Sequence, residues 1–240
     1  MNICMEVNNL TKRFQSRTVV DDLSFSVQKG EVFGLLGHNG AGKTTTIETL
    51  LGIKKADGGE ARVLGMNPGK HRKELFQRIG VQLQASHYQN NIRVDEICKE
   101  FSALYEKPVD YHVLLRQFRL ETFEKAQVNK LSGGERQKLS VLLALLPAPD
   151  IIFLDELTTG LDAAARREVW QVLKELKAKG TTMVLTTHYM EEAEMLCDRL
   201  CLIKGGKKLI EGTVQEVIGK SPYENLEEAY LWYMGEENLL

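Results

Sequence analysis

The chain has 240 residues, 43 % of them hydrophobic and 27 % charged, and a formal net charge of -2 at pH 7. The length allows one large domain with a substantial core, and the composition is that of an ordinary globular protein. The near-neutral charge excludes a basic field that would recruit nucleic acid or anionic lipid. The most apolar run, residues 141–146, is far shorter than the roughly 20 residues that a membrane span needs.

The N-terminus and the cysteines indicate the compartment. The first residues lack the charged-then-apolar layout of a signal peptide. The four cysteines have no CxxC pair and no zinc-type spacing, which favours reduced, buried thiols. We therefore expect a cytosolic protein.

The first third of the chain alternates short strands with short helices. Strands are predicted at 5–7, 23–27, 32–36 and 79–84, a turn followed by a strand at 57–63, and helices at 45–51 and 70–78. The strand at 32–36 is apolar throughout, which is typical of a strand buried on both faces.

The middle of the chain has a different pattern. Apolar residues recur at helical spacing from Val94 to Tyr105, and Pro108 is expected to stop that helix. Further helices are predicted at 109–120 and 137–146. Residues 86–147 therefore form a predicted helical insert.

An alternation of strand and helix resumes after residue 150. Strands are predicted at 151–154 and 183–187, helices at 163–179 and 189–197, a hairpin at 200–210 around Gly205-Gly206, and a last amphipathic helix within 226–240.

A glycine-rich loop follows the predicted strand at 32–36 and fits the pattern G-x-x-x-x-G-K-[ST]. Its residues are Gly37, His38, Asn39, Gly40, Ala41, Gly42, Lys43, Thr44 and Thr45. Such a loop turns its backbone N–H groups toward phosphate oxygens, and the helix that follows adds the positive end of its dipole. Lys43 is expected to reach the β- and γ-phosphates, and the Thr44 hydroxyl is expected to bind Mg²⁺.

Two acidic residues, Asp155 and Glu156, end the apolar strand at 151–154. Acidic residues at the carboxyl edge of a parallel sheet lie where the phosphates bind. Asp155 is expected to hold Mg²⁺, directly or through water, and Glu156 to polarise the attacking water. The structural alternative is that the pair only caps the next turn.

The segment LSGGERQ at 131–137 resembles the signature motif of the ATP-binding cassette (ABC) ATPases. The phosphate loop, this motif and the acidic pair also occur in that family's order. Gly160, Leu161 and Asp162 resemble its D-loop. His188 is similar to the switch histidine, Gln84 to the Q-loop glutamine, and Phe14 to the aromatic ring that stacks on adenine.

The resemblance implies an α/β fold: a P-loop NTPase core with a mostly parallel sheet, an N-terminal antiparallel β subdomain and a helical insert that carries the signature. It implies one ABC ATPase domain over 1–240, with 1–85 and 148–220 as the core, 86–147 as the helical subdomain and 221–240 as a C-terminal helix and tail.

The resemblance also implies an ATP hydrolase with ATP and Mg²⁺ as cofactors. The implied catalytic residues are Glu156, His188, Gln84 and Lys43, and the implied metal ligands are Thr44, Gln84 and Asp155. The implied nucleotide-binding residues are Phe14, Gly37, Asn39, Gly40, Ala41, Gly42, Lys43, Thr44, Thr45, Ser132, Gly133, Gly134 and Asp162.

Two partners follow from the resemblance. A second cassette, identical or paralogous, is expected to pair head to tail, so that Ser132, Gly133 and Gly134 close over the γ-phosphate held by the other cassette. A separate membrane permease is expected to place the protein on the cytoplasmic face. Residues 186–194 resemble the drug and antibiotic exporters of the family, and no nucleic acid is expected. The alternative is a soluble cassette acting on nucleic acid or ribosomes.

The stretch 85–93 is expected to receive a helix of the permease, with Tyr88 and Ile92 as anchors and Arg93 as a cation. Three residues depart from the common family pattern: His38 and Leu157 stand where prolines are usual, and Glu135 stands where glutamine is frequent.

Overall fold

The computed structural model describes residues 2–83 and 88–236. Two compact units divide the chain. The first comprises the residues up to 75 together with those from 182 onward, and the second comprises residues 76–181.

The strands, in chain order, are β1 (Ile3–Phe14), β2 (Arg17–Gln28), β3 (Val32–Leu36), β4 (Gly58–Val63), β5 (Ile79–Gln82), β6 (Ile151–Asp155), β7 (Thr182–Thr187), β8 (Arg199–Lys204) and β9 (Lys207–Thr213). The α-helices are α1 (Lys43–Leu50), α2 (Arg72–Phe76), α3 (Val94–Ser102), α4 (Tyr111–Gln117), α5 (Gly133–Leu145), α6 (Ala163–Ala178), α7 (Met190–Leu196), α8 (Val214–Gly219) and α9 (Leu226–Met234).

An antiparallel sheet with the order β2-β1-β4 belongs to the first unit. Val7 lies opposite Phe25, and both are buried because the apolar residues of each strand share one face. β1 and β2 extend well beyond the segments predicted from alternation, at 5–7 and 23–27. The backbone ladder continues through polar residues, which alternation alone does not detect.

The first unit also contains a parallel arrangement. β3 pairs in parallel with both β7 and β8, and β8 continues into an antiparallel hairpin with β9. All five residues of β3 are buried, as expected for a strand covered on both faces. The expected mostly parallel sheet and the antiparallel β subdomain are confirmed.

The second unit combines a parallel strand pair with helices. β5 and β6 pair with Ile79 opposite Ile151. α5 packs closely on β5. A Cβ at Gly80 would lie only 2.1 Å from the carbonyl oxygen of Ala144, so the absence of a side chain at Gly80 allows this approach. β6, like β3, is buried along its whole length.

Several helix boundaries differ from the predictions. The helix predicted at 109–120 is the shorter α4, and Arg119, just beyond it, has a left-handed φ of 57° that does not continue a helix. The helix predicted from 137 begins at Gly133 because Ser132 caps it. α3 ends at Ser102, before Pro108. The short α8 was not predicted.

Candidate functional site

The phosphate loop lies between β3 and α1 in the first unit. Gly40 and Gly42 have φ values of 81° and 107°, which favour glycine. A Cβ at Gly42 would lie 2.6 Å from the carbonyl oxygen of Val19. A Cβ at Gly37 would lie 2.4 Å from the carbonyl oxygen of Ile203. The loop is therefore packed against neighbouring backbone so tightly at Gly37 and Gly42 that only glycine fits there, whereas Gly40 is favoured by its φ alone.

Lys43 is the first residue of α1 and is only 3 % exposed. Its Nζ donates hydrogen bonds to the carbonyl oxygens of Gly37 at 2.8 Å and His38 at 3.3 Å. These bonds hold the ammonium group over the loop, at the end of α1 where the helix dipole is positive and anions are stabilised. The arrangement places a positive charge where the sequence predicts the phosphates.

His38, which stands where a proline is usual, also stabilises the loop. Its Nδ1 lies 2.7 Å from the carbonyl oxygen of Asn39. Since a carbonyl oxygen can only accept, Nδ1 carries the proton and donates. At the other end of the loop the Thr46 hydroxyl donates to the carbonyl oxygen of Gly42 at 2.9 Å. Side-chain hydrogen bonds thus contact the loop backbone near both of its ends.

Phe14, the predicted adenine-stacking residue, ends β1 and is 41 % exposed. The Nζ atoms of Lys12 and Lys54 lie 5.3 Å and 5.0 Å from its ring centroid, within the range of cation–π attraction. Lys12 is anchored by Asp57 at 2.9 Å. An exposed aromatic ring flanked by two cations suits a nucleotide, and base stacking by Phe14 stays a prediction.

His188, the predicted switch histidine, directly follows β7 in the first unit and is half-buried. Its ring centroid lies 4.2 Å from that of Tyr189. The N–H of Tyr189 donates to the Thr187 hydroxyl at 2.9 Å, which fixes the turn into α7. The imidazole is therefore held at the carboxyl end of a buried strand.

Asp155 ends β6 in the second unit and Glu156 follows it directly, and they are 0 % and 7 % exposed. Glu156 has a left-handed φ of 49°, a conformation that costs energy for a residue with a side chain and that concentrates at functional sites. Its carbonyl oxygen accepts a hydrogen bond from the N–H of Thr159 at 3.2 Å. Leu157, which stands where a proline is usual, is buried, so packing orders this turn instead.

The signature segment forms the N-terminus of α5. The Ser132 hydroxyl accepts from the N–H of Glu135 at 3.3 Å, and the Glu135 carboxylate accepts from the N–H of Ser132 at 2.7 Å. This capping box explains why glutamate is suitable at position 135. The first-turn N–H groups of Gly133 and Gly134 have no acceptor within an α-helix, as at any helix N-terminus, and can meet an anion.

The signature and the D-loop residues are packed side by side in the second unit. A Cβ at Gly133 would lie 3.1 Å from Leu161, and one at Gly134 would lie 3.1 Å from Ala165. Asp162 caps α6 by accepting from the N–H of Ala165 at 2.9 Å. The glycines of the signature therefore also allow the N-termini of α5 and α6 to approach each other.

Sequence reasoning missed a polar cavity of about 370 Å³ in the second unit. Its wall includes Gln82, Asn129, Arg136 and Gln137. The hydroxyl groups of Tyr88 and Ser140, also in the wall, lie 3.0 Å apart. The only sequence signal was the spacing of Gly133, Arg136, Gln137 and Ser140, which places them on one face of α5.

The prediction that Ile92 is an exposed anchor for a permease helix is wrong. Ile92 is only 6 % exposed, because its carbonyl oxygen accepts from the N–H of Val128 and the segment packs inward. Arg93 lies at the N-cap position just before α3, and its Nε donates to Asp95 at 3.1 Å. Residues 84–87, including Gln84, lie outside the described residues.

The predicted site residues fall into two sets. The phosphate loop, Phe14 and His188 belong to the first unit. Asp155, Glu156, the signature and Asp162 belong to the second. That the two sets meet around one nucleotide stays a prediction.

The chemistry of the donors fits Mg²⁺. Thr44 offers a hydroxyl and Asp155 a carboxylate, both hard oxygen ligands. Within residues 2–83 and 88–236, no group of three or more histidine, cysteine, aspartate or glutamate side chains could hold a metal ion alone. Mg²⁺ typically takes one or two protein ligands and completes its shell with water and phosphate oxygens, so the ion would depend on the nucleotide.

Residues 20–159, more than half of the chain, match the sequence profile described as ABC transporter. The chain belongs to the ABC transporter family. As an ABC cassette it binds ATP and is an ATPase.

Curated relatives cover most of this ABC cassette. It is 43 % identical over 219 residues to the Nod factor export ATP-binding protein I of Ralstonia nicotianae, covering 89 % of this chain and 68 % of the relative. It is 42 % identical over 221 residues to the protein of the same name from Cupriavidus pinatubonensis, covering 89 % of this chain and 67 % of the relative.

Solved structures have the same fold. An ATP-binding subunit of an ABC transporter superposes with a TM-score of 0.86 at 26 % identity, covering 96 % of this chain and 99 % of that one. A bacterial ABC transporter cassette solved as a dimer has a TM-score of 0.76 at 23 % identity, covering 87 % and 98 %. Within the part of this ABC cassette that the structure describes, no helix combines the length and apolarity of a membrane span.

Proposed function

We propose that this chain is the ATP-hydrolysing subunit of an exporter, and that it powers a separately encoded membrane permease from the cytoplasmic face. The relatives at 43 % and 42 % identity are named for export, which supports the direction of transport. The segment 186–194, which resembles the exporters of the family, supports it as well.

The observation that carries the proposal is a second helix N-terminus, that of α5, whose first-turn N–H groups belong to glycines and could meet an anion. The N-terminus of α1 carries the phosphate loop, and the N-terminus of α5 carries Ser132, Gly133 and Gly134. A simple nucleotide-binding domain needs only the first. Two such ends in one chain suit two cassettes that pair head to tail, with each signature closing on the γ-phosphate held by the other cassette.

Each site residue has a separate proposed role in ATP hydrolysis. Lys43 and the loop N–H groups neutralise the phosphates, which is the main catalytic contribution in phosphoryl transfer. The Thr44 hydroxyl and the Asp155 carboxylate would hold Mg²⁺, directly or through water, with Gln84 as a further ligand, and the bound ion would supply positive charge beside the phosphates. Glu156 polarises the attacking water, and His188 and Gln84 orient it and the γ-phosphate.

The remaining nucleotide contacts come from Phe14 on the adenine, from Asn39, Gly40, Ala41, Gly42 and Thr45 in the loop, and from Asp162 across the pair. ATP closes the pair and hydrolysis opens it, and this cycle drives the permease. The partner cassette is either a second copy of this chain or a paralogue.

The variant Glu156→Gln tests the proposal because it keeps the size of the side chain and removes its charge. We expect it to bind Mg-ATP, to lose nearly all turnover and to accumulate as an ATP-bound dimer. Light scattering after size-exclusion chromatography, with and without ATP, measures the dimer. Glu121→Gln, an exposed glutamate of the same unit, is the control and should behave like the wild type.

One result would count against the proposal, and a second would decide which partner the chain takes. Wild-type turnover by Glu156→Gln would remove the assigned role of Glu156. A Glu156→Gln protein that stays monomeric at saturating ATP would exclude pairing between two copies of this chain and leave only a paralogous partner.

A further inference from the structure

The turn between β8 and β9 is tied to the phosphate loop by backbone hydrogen bonds. The N–H of Gly206 donates to the carbonyl oxygen of Ala41, inside the loop, at 3.0 Å. The carbonyl oxygen of Gly206 accepts from the N–H of Asp21, in β2, at 2.9 Å. One residue, more than 160 positions away in sequence, therefore links the loop to the antiparallel sheet.

The space around Gly206 admits no side chain. Its φ is 83°, and a Cβ there would lie 2.5 Å from the carbonyl oxygen of Val19 and 3.2 Å from the Cα of Val20. Both obstacles are backbone atoms, which cannot rotate away as a flexible side chain can. The same carbonyl oxygen of Val19 also closes the space beside Gly42 of the phosphate loop, at 2.6 Å from a Cβ there.

The neighbouring glycine provides a direct contrast. Gly205 also has a left-handed φ, of 56°, but a Cβ there would have nothing within 4 Å. Both glycines therefore have a left-handed φ that favours glycine, but only at Gly206 would a Cβ also clash with neighbouring atoms.

We propose that Gly206 is a positioning residue for ATP binding, which keeps the phosphate loop in register with β2 through Ala41. The inference rests on the proposed function, because it concerns the same nucleotide site. A Cβ at position 206 must move from 2.5 Å to the 3.4 Å of an ordinary contact with the Val19 carbonyl oxygen. A shift of that size strains the bond to Ala41 and turns the loop N–H groups away from the phosphates.

The test compares Gly206→Ala with Gly205→Ala. A misplacement of about 1 Å can cost as much as a hundredfold in a site that depends on orientation. We therefore expect Gly206→Ala to weaken ATP binding by about ten- to a hundredfold, measured by isothermal titration calorimetry. Gly205→Ala should stay within about twofold of the wild type, since its Cβ points into open space.

Thermal unfolding of both variants separates positioning from stability. Both substitutions carry the cost of a left-handed φ, so both should lower the melting temperature. A merely structural role would lower the melting temperature of Gly206→Ala without weakening ATP binding beyond that of Gly205→Ala. Equal ATP affinities of the two variants would overturn the inference.

A second pair of variants covers the case in which Gly206→Ala does not fold. Asparagine tolerates a left-handed φ better than other residues with side chains but still carries the Cβ. Gly206→Asn should therefore weaken ATP binding, whereas Gly205→Asn should not, and equal affinities would again overturn the inference. A wild-type protein that binds no ATP would instead overturn the proposed function itself.

Discussion

Replacing Lys43 by alanine tests the centre of the site, and the structure sets the size of the effect. A unit charge about 4 Å from a phosphate charge contributes about 4 kcal/mol at an effective dielectric constant of about 20. ATP must first displace Nζ from the carbonyl oxygens of Gly37 and His38, and a hydrogen bond of this kind is worth about 1 kcal/mol. Displacing both bonds costs about 2 kcal/mol, so the net loss of binding free energy is about 2 kcal/mol, or about thirtyfold in Kd.

The same substitution has a smaller effect on stability. Two carbonyl oxygens lose their donor, and a buried acceptor left without one costs about 1–3 kcal/mol. Because these oxygens lie in a loop that water can enter when Nζ is gone, we expect the lower end of that range, and the protein should remain folded. Circular dichroism and a thermal unfolding curve check this before ATP binding is measured.

Isothermal titration calorimetry with ATP and a phosphate-release assay measure the loss of affinity and of turnover. Lys55→Ala removes the same side chain from an exposed position of the same unit and should change neither. A folded Lys43→Ala protein whose ATP affinity lies within about threefold of the wild type would refute the reasoning, since the charge would then contribute less than about 1 kcal/mol.

Two further predictions concern Phe14 and Asp95. Phe14→Ala should raise the KM for ATP by about tenfold, since stacking of a base on an aromatic ring contributes about 1–3 kcal/mol; Phe14→Tyr should restore it, and an unchanged KM would place the adenine elsewhere. Burial alone would raise the pKa of Asp95, but hydrogen bonds from Lys125 and Lys99 and the charge of Arg93 hold it well below its usual range. A lowered folded-state pKa means that the ionised carboxylate stabilises the protein above its unfolded pKa of about 3.9 and loses this contribution as the pH falls below that value. Asp95→Asn should therefore lower the free energy of unfolding by about 1–2 kcal/mol at pH 7, with the cations partly exposed and screened. The difference from wild type should shrink below about pH 4, and a pH-independent difference in urea unfolding would contradict this account.

The sequence alone predicts the parts of this protein that depend on consecutive residues. The phosphate loop, the signature segment and the acidic pair after a buried strand are short patterns, because each uses local backbone conformation to direct N–H groups or carboxylates. The burial of β3 and β6 could be predicted for a similar reason, since β3 has no polar side chain and β6 is apolar up to Asp155, and the family resemblance added that the sheet is mostly parallel. Alternation located the centres of β1 and β2 but not their ends, which depend on pairing with another strand.

Only the tertiary structure determines what surrounds those patterns. Ile92 lies in a polar stretch of the sequence, which indicates exposure, yet it is buried, and the N–H of Val128 donates to its carbonyl oxygen. The motif alone indicates only that Gly37 and Gly42 let the backbone turn. The structure shows that neither position has room for a side chain, because a carbonyl oxygen of a distant strand lies beside it: that of Ile203 beside Gly37 and that of Val19 beside Gly42. The sequence indicates only that Gly206 lies in a hairpin turn, and the structure adds that its N–H donates to the carbonyl oxygen of Ala41 in the phosphate loop. These requirements arise from backbone segments far apart in sequence that pack at contact distance, and no local pattern of residue types records which distant backbone will lie there.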